Sequence, residues 1–137
     1  MGDVCTRRCG FCAVDKGTPR ALDPREPAHT AEAIRRMGVR HAVITSVNRD
    51  DLPDGGAAHF AETVRAIRTR TPHVTVELLV PDFQGNRAAM DRVLDADPHI
   101  VAHNVETVPR LYRRVRREAN YAQSLACIGH IHERGVL

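Results

Sequence analysis

The sequence predicts an α/β chain: a partial (β/α) barrel of three to four βα units with parallel strands, forming one incomplete core domain over residues 1–137. Three observations point there. Short apolar runs alternate along the chain with amphipathic stretches of helical period. The runs are nearly continuous rather than alternating with polar residues, which fits parallel strands covered on their faces. The chain has 137 residues, whereas a closed eight-fold barrel takes about 250.

Taken in order, the chain opens with a cysteine-rich loop over about residues 3–17, and βα units follow over about 28–137. A first strand is missing or reduced to Gly2-Asp3-Val4. Ala31, Ile34 and Met37 recur at helical spacing, and Gly38 is a natural stop. His41–Ser46 reads as a buried strand. Phe60, Val64 and Ile67 mark the next helix, which ends before Pro72. Val74–Val80 reads as a second strand between Pro72 and Pro81. Ala89, Met90, Val93 and Leu94 form a third helical stripe, preceded by Gly85-Asn86. Ile100–His103 reads as a third strand. Leu111 and Val115 mark a fourth helix, with Thr107 as its expected cap and Pro109 near its first turn. A last helix is expected from about Ala122 to Glu133.

Composition narrows the function classes. Apolar residues make up 42% and charged residues 27% of the chain, too apolar for disorder. No apolar run approaches the roughly 20 residues of a membrane helix. The start of the chain carries no apolar signal region, so a cytoplasmic location is expected. The net charge is +3, and its Arg residues are scattered rather than gathered into a nucleic-acid-binding patch. Neither nucleic acid nor membrane is an expected partner.

Of the four cysteines, Cys5, Cys9 and Cys12 are crowded into Cys-Thr-Arg-Arg-Cys-Gly-Phe-Cys, and Cys127 is distant. Three thiolates on one loop with C-x3-C-x2-C spacing can each hold one iron of a [4Fe–4S] cube, leaving the fourth iron open to a small chelating molecule. Gly10 allows a close turn around such a cluster, and Phe11 is placed to shield it from water. Structural zinc is the alternative, but zinc sites use four ligands, usually in two pairs, and no second pair accompanies this loop.

The string Gly2 to Val14, with its aromatic before the last cysteine, resembles the signature loop of radical S-adenosylmethionine enzymes, and lipoyl synthases in particular. Val43–Gly56, Pro81–Gly85 and His103–Tyr112 agree with the same family. The resemblance implies a radical S-adenosylmethionine-type barrel with a [4Fe–4S] cluster on Cys5, Cys9 and Cys12. It further implies S-adenosylmethionine bound at the open iron, cleaved by one electron to methionine and a 5′-deoxyadenosyl radical. In the family that radical takes hydrogen from a protein-bound octanoyl chain, and two sulfurs are inserted to make the lipoyl group. Its partners are an octanoylated lipoyl-carrier domain or glycine-cleavage carrier protein and a reducing electron donor. The cofactor carries the chemistry, and the protein places and shields it.

Several side chains sit where a barrel gathers ligands. Thr45 and Ser46 end a strand, where their hydroxyls either accept from the methionine ammonium or cap the strand. Asn104 and Glu106 follow a strand end, two residues apart on one face of an extended segment, so both can reach a diol; the resemblance assigns them to the ribose. It also matches Arg116 to the S-adenosylmethionine carboxylate, among the crowd of Arg113, Arg114 and Arg117. Asp50 and Asp51 read equally as loop caps or substrate-positioning groups, and His103 as a packed strand-end residue or a contact. Cys127, inside an expected helix, reads as a buried apolar residue.

The family also carries an auxiliary [4Fe–4S] cluster that donates the inserted sulfur, with three cysteines upstream of the radical motif and a serine near the C-terminus. Those ligands are absent from these 137 residues. The sequence therefore leaves two alternatives beside a lipoyl synthase core: a truncated, non-catalytic cluster-binding fragment, or a radical enzyme without sulfur insertion. It carries the expectation of cofactor cleavage without lipoyl formation.

Overall fold

Three parallel strands in sequential order organise the molecule: β3 (His41–Thr45), β4 (Thr75–Leu79) and β5 (Ile100–Ala102). The computed structural model describes residues 1–136. The register pairs Thr45 with Leu79 and Leu79 with Ala102, so the C-terminal ends of all three strands lie level. A shorter pair, β1 (Val4–Cys5) and β2 (Asp15–Lys16), forms a separate parallel ladder. The expected first strand is thus two residues long and outside the main sheet.

The helices form where the apolar periodicity places them. α1 (Glu26–Met37) ends as Gly38 enters the left-handed region at φ 64° and its N–H donates to Ile34, a conformation costly for residues with a Cβ. α2 (Ala57–Arg70) is the central helix, with Phe60, Val64 and Ile67 all buried. α3 (Arg87–Leu94) starts at Asn86, whose side chain accepts from the Ala89 N–H. α5 (Tyr121–Glu133) starts at Asn120 in the same way, capping onto Gln123. The fourth predicted helix is shorter than its apolar spacing suggested. A 3₁₀ turn at Pro109–Leu111 leads into the single turn α4 (Tyr112–Val115), and Thr107 makes no cap there. Its own N–H instead donates to the Val105 carbonyl.

Packing is one-sided. α1 lies on α2, α2 on α3, and α3 on α5. Ala42, Val76, Leu78 and Val101 are buried in the main hydrophobic core. The opposite face carries Val43, 57% exposed, beside a hydrogen bond between His41 Nε2 and Glu77 at 2.8 Å. Continuous apolar strands had implied cover on both faces; this face is instead the concave inner side of the barrel arc, part polar and open. Phe60 and Phe83 meet edge to face at 6.3 Å, locking α2 to the turn after β4. Among the described residues no helix is long and apolar enough to cross a membrane.

Candidate functional site

A cavity of about 390 Å³ opens where the level strand ends meet the cysteine loop. Its wall combines Cys5, Cys9 and Cys12 with Thr45 and Ser46 from the end of β3 and with Asn104, Glu106 and Arg116. These are the eight side chains that the sequence put forward for the cluster and the cofactor, and the fold brings all of them to one place, with His103 beside them.

Backbone contacts hold the cysteine loop there. The β1–β2 ladder closes its base, and the Gly17 N–H donates to the Cys5 carbonyl at 3.0 Å. The Gly10 N–H donates to the Val115 carbonyl at 2.9 Å. A Cβ at Gly10 would make only ordinary contacts with the Arg114 and Val115 carbonyls, so the close turn does not require glycine. Thr6 donates through its N–H and its hydroxyl to the Asn48 carbonyl, at 3.2 and 3.0 Å, beyond the end of β3. Phe11 lines the cavity but is 56% exposed, so it shields less than the sequence implied.

On the opposite wall, the loop after β5 is tied down from α4. Arg116 Nη1 donates to the Asn104 carbonyl at 2.6 Å, and the Tyr112 hydroxyl donates to the Val105 carbonyl at 2.7 Å. The Arg116 guanidinium also lies over the Tyr112 ring, 5.7 Å from its centroid. Arg116 is buried, whereas Arg113, Arg114 and Arg117 are exposed. The structure therefore buries the one arginine that the resemblance had matched and leaves its neighbours in the run exposed. Glu106 takes a left-handed backbone at φ 65°, uncommon for a residue with a Cβ and typical of functional loops.

Hydrogen-bond accounting marks where a ligand belongs. Arg116 Nε and Asn48 Oδ1 are buried without a protein partner among the described residues, and both residues line this cavity. Unpaired buried donors and acceptors cost about 1–3 kcal/mol each, and a polar ligand relieves that cost. The Thr45 hydroxyl donates to the Leu79 carbonyl at 3.1 Å and the Ser46 hydroxyl to the Val47 carbonyl at 2.9 Å. With their hydrogens so engaged, both oxygens keep lone pairs for a cationic donor.

Electrostatics sort the remaining candidates. Burial pushes the Cys9 thiol pKa up, while Arg116 pulls the other way. Cys127 sits in the helix layer, facing a separate cavity of about 150 Å³, and burial pushes its thiol up to about 12. It is a packed thiol remote from the loop. His103 lies between the Val80 carbonyl at 2.9 Å and the Ser124 hydroxyl at 3.0 Å. Burial lowers its pKa, so a neutral ring donates to the carbonyl and accepts from the hydroxyl. Asp50 receives Arg7, and Asp51 receives Arg49 at 2.8 Å. The sequence reading missed Arg7, Asn48 and Asp82. The only local signals were a charge between two loop cysteines and an Asp following Pro81 at a strand end.

The donor set fits an iron–sulfur cube. Cys5, Cys9 and Cys12 border one cavity wall, and a cube would take each cysteine on its own iron.

Comparison with known proteins agrees with this geometry. The Radical SAM superfamily model matches residues 1–137. The chain is 57% identical to a lipoyl synthase of Caldanaerobacter subterraneus over 97% of its own length and 46% of that protein. It is 58% identical to a lipoyl synthase of Thermus thermophilus over 95% of its length and 41% of that protein. The chain thus spans under half the length of these curated relatives. In fold it resembles methylornithine synthase, with a TM-score of 0.70 at 14% identity, over 98% of this chain and 40% of that one. The family implies [4Fe–4S] chemistry with S-adenosylmethionine. A cysteine loop closed over the ends of parallel strands, matched along its whole length by that family's model, places this chain in the radical S-adenosylmethionine superfamily.

Proposed function

We propose that this chain is the radical S-adenosylmethionine core of a lipoyl synthase, the enzyme that inserts two sulfurs into a protein-bound octanoyl chain. The observation that carries the reading is the meeting of Cys5, Cys9 and Cys12 with Thr45, Ser46, Asn104, Glu106 and Arg116 around one cavity. The relatives at 57% and 58% identity support the lipoyl branch.

In this reading Cys5, Cys9 and Cys12 hold the cluster. When bound, the cluster and S-adenosylmethionine supply one-electron carbon–sulfur cleavage and the hydrogen abstraction that follows. Thr45 and Ser46 accept from the methionine ammonium. The Nε–H of Arg116 meets the carboxylate, and Asn104 with Glu106 holds the ribose hydroxyls. Leu79, Val80 and Pro81 form an apolar wall that keeps water from the reacting groups. The partners are an octanoylated lipoyl-carrier domain or glycine-cleavage carrier protein and a reducing electron donor.

Anaerobic reconstitution tests this directly. The chain should take up about four irons, and replacing Cys5, Cys9 or Cys12 with Ala should abolish the iron–sulfur absorbance. With dithionite and S-adenosylmethionine it should release 5′-deoxyadenosine, faster with an octanoylated carrier peptide than with the unacylated one. Stoichiometric zinc without iron–sulfur absorbance would refute the cluster assignment; indifference to acylation would refute the lipoyl branch.

A further inference from the structure

Arg7 lies between two of the cluster-loop cysteines, yet its side chain turns away from solvent and is 2% exposed. Four of its N–H donors are engaged by two carboxylates. Nε and Nη2 donate to Asp50 at 2.6 and 2.9 Å, and Nη1 and Nη2 donate to Asp82 at 3.0 and 2.6 Å. Asp50 belongs to the loop after β3 and Asp82 to the loop after β4. The Asp82 side chain is fully buried, and the Gln84 N–H also donates to it at 3.0 Å. Burial alone would pull the Arg7 pKa down, but the two carboxylates more than reverse this and keep it charged.

The surroundings serve this contact. Phe83 and Gln84 hold left-handed backbone at φ 45° and 53°, a disfavoured state for residues with a Cβ. That turn carries Asp82 at its head. The Asp50 N–H donates to the Thr6 hydroxyl at 3.1 Å, and the Arg7 N–H faces Cys5 Sγ at 3.4 Å. One guanidinium therefore joins three separate segments: the cysteine loop and the two loops that follow the strands beneath it.

We propose that Arg7, clamped bidentately between Asp50 and Asp82, is the positioning residue that fixes Cys5 and Cys9 over the strand ends. The proposal rests on the reading of those cysteines as cluster ligands. Its physical basis is that a planar fork can satisfy two carboxylates at once, each with two parallel hydrogen bonds, whereas a single ammonium cannot. Ligands of a reactive centre must be held within about 0.5 Å, and rigid second contacts provide that.

Alkylation of the reduced, metal-free chain with N-ethylmaleimide, read cysteine by cysteine by mass spectrometry, separates local positioning from global stability. Arg7→Lys keeps the charge and loses the fork. It should speed alkylation of Cys5 and Cys9 about tenfold, the loss of one or two charge-assisted hydrogen bonds, while buried Cys127 reacts as slowly as before. Iron retained after reconstitution should fall in parallel. Asp50→Asn removes only the partly exposed partner and should give a smaller rise at the same two cysteines, so it decides the matter if Arg7→Lys melts. Unchanged rates at Cys5 and Cys9 overturn the proposal, as does a matching rise at Cys127 in both variants, which would make Arg7 a general stabiliser. An ordered loop in a wild-type chain that takes up no iron would instead sink the cluster reading and leave the positioning role standing.

Discussion

Arg116 holds Asn104 by its backbone: Nη1 donates to the Asn104 carbonyl at 2.6 Å, while Nε stays buried beside it without a partner among the described residues. One guanidinium thus shapes the loop that carries Asn104 and Glu106 and keeps a donor for a ligand. Arg116→Lys should weaken S-adenosylmethionine binding to the reconstituted chain by about 1–3 kcal/mol. Calorimetric titration at matched iron content checks this, and an unchanged affinity would remove Arg116 from the site.

Glu106 offers a contrast between stability and binding. Its left-handed backbone is strained for any residue but glycine. Glu106→Ala should lower S-adenosylmethionine affinity by about 1–3 kcal/mol through loss of an ionised acceptor. Glu106→Gly should lose the same affinity yet raise folding stability by about 1 kcal/mol. Equal unfolding midpoints for the two variants would show that the strain is not stored at this position.

His103 predicts a pH dependence of stability. Burial holds its pKa below the ordinary 6.5 in the folded chain. Below about pH 6.5 the unfolded chain therefore binds more protons than the folded one, and stability falls as pH falls toward the depressed pKa. Above that window the contribution is complete. His103→Gln should flatten the slope between about pH 7 and pH 5 in urea titrations; a slope identical to wild type would place the titrating group elsewhere.

Gly56 is required by its backbone. It sits at φ 87°, in the left-handed region, whereas an added Cβ would meet only Met1 Sδ and Cε, the far end of a flexible side chain that can move aside. Gly56→Ala should cost about 1–3 kcal/mol of stability, measured by the urea midpoint, with the iron content of the reconstituted chain preserved.

Cys127 provides the complementary control. Cys127→Ala should cost about 1 kcal/mol by leaving a small void and should leave iron uptake unchanged. A loss of iron in this variant would make Cys127 a ligand and contradict its place in the helix layer.

Much of this was legible in the sequence because it was written locally. The strand ends at Thr45 and near Ala102 follow from short apolar runs, and the stop of α1 follows from Gly38. The triple-cysteine spacing named the loop, strand-end position offered Thr45 and Ser46, and the family resemblance assigned Asn104 and Glu106 at the end of the next strand but one. The bonds that assemble the site were not local. Arg7 and Asp82 are 75 residues apart, and no periodicity links them. Arg116 differs from its neighbours only by direction, since buried and exposed arginines look alike in a run. Thr107 failed as a cap because the 3₁₀ turn begins at Pro109, which puts Val108 in the capping position. Open cover on the inner face was illegible for a different reason: an apolar strand reads alike whether helices or a cavity lie above it.

The two-residue ladder between Val4–Cys5 and Asp15–Lys16 has an entropic consequence. It shuts the cysteine loop at its base with backbone bonds, and Lys16 Nζ adds a bond to the Cys12 carbonyl at 2.6 Å. Bringing together the ends of a free segment of about ten residues costs roughly 2 kcal/mol in chain freedom. Here that freedom is surrendered during folding. On the proposed reading an arriving cluster would meet thiols borne on a loop already closed, and its binding free energy would appear as affinity and not as work done on the chain.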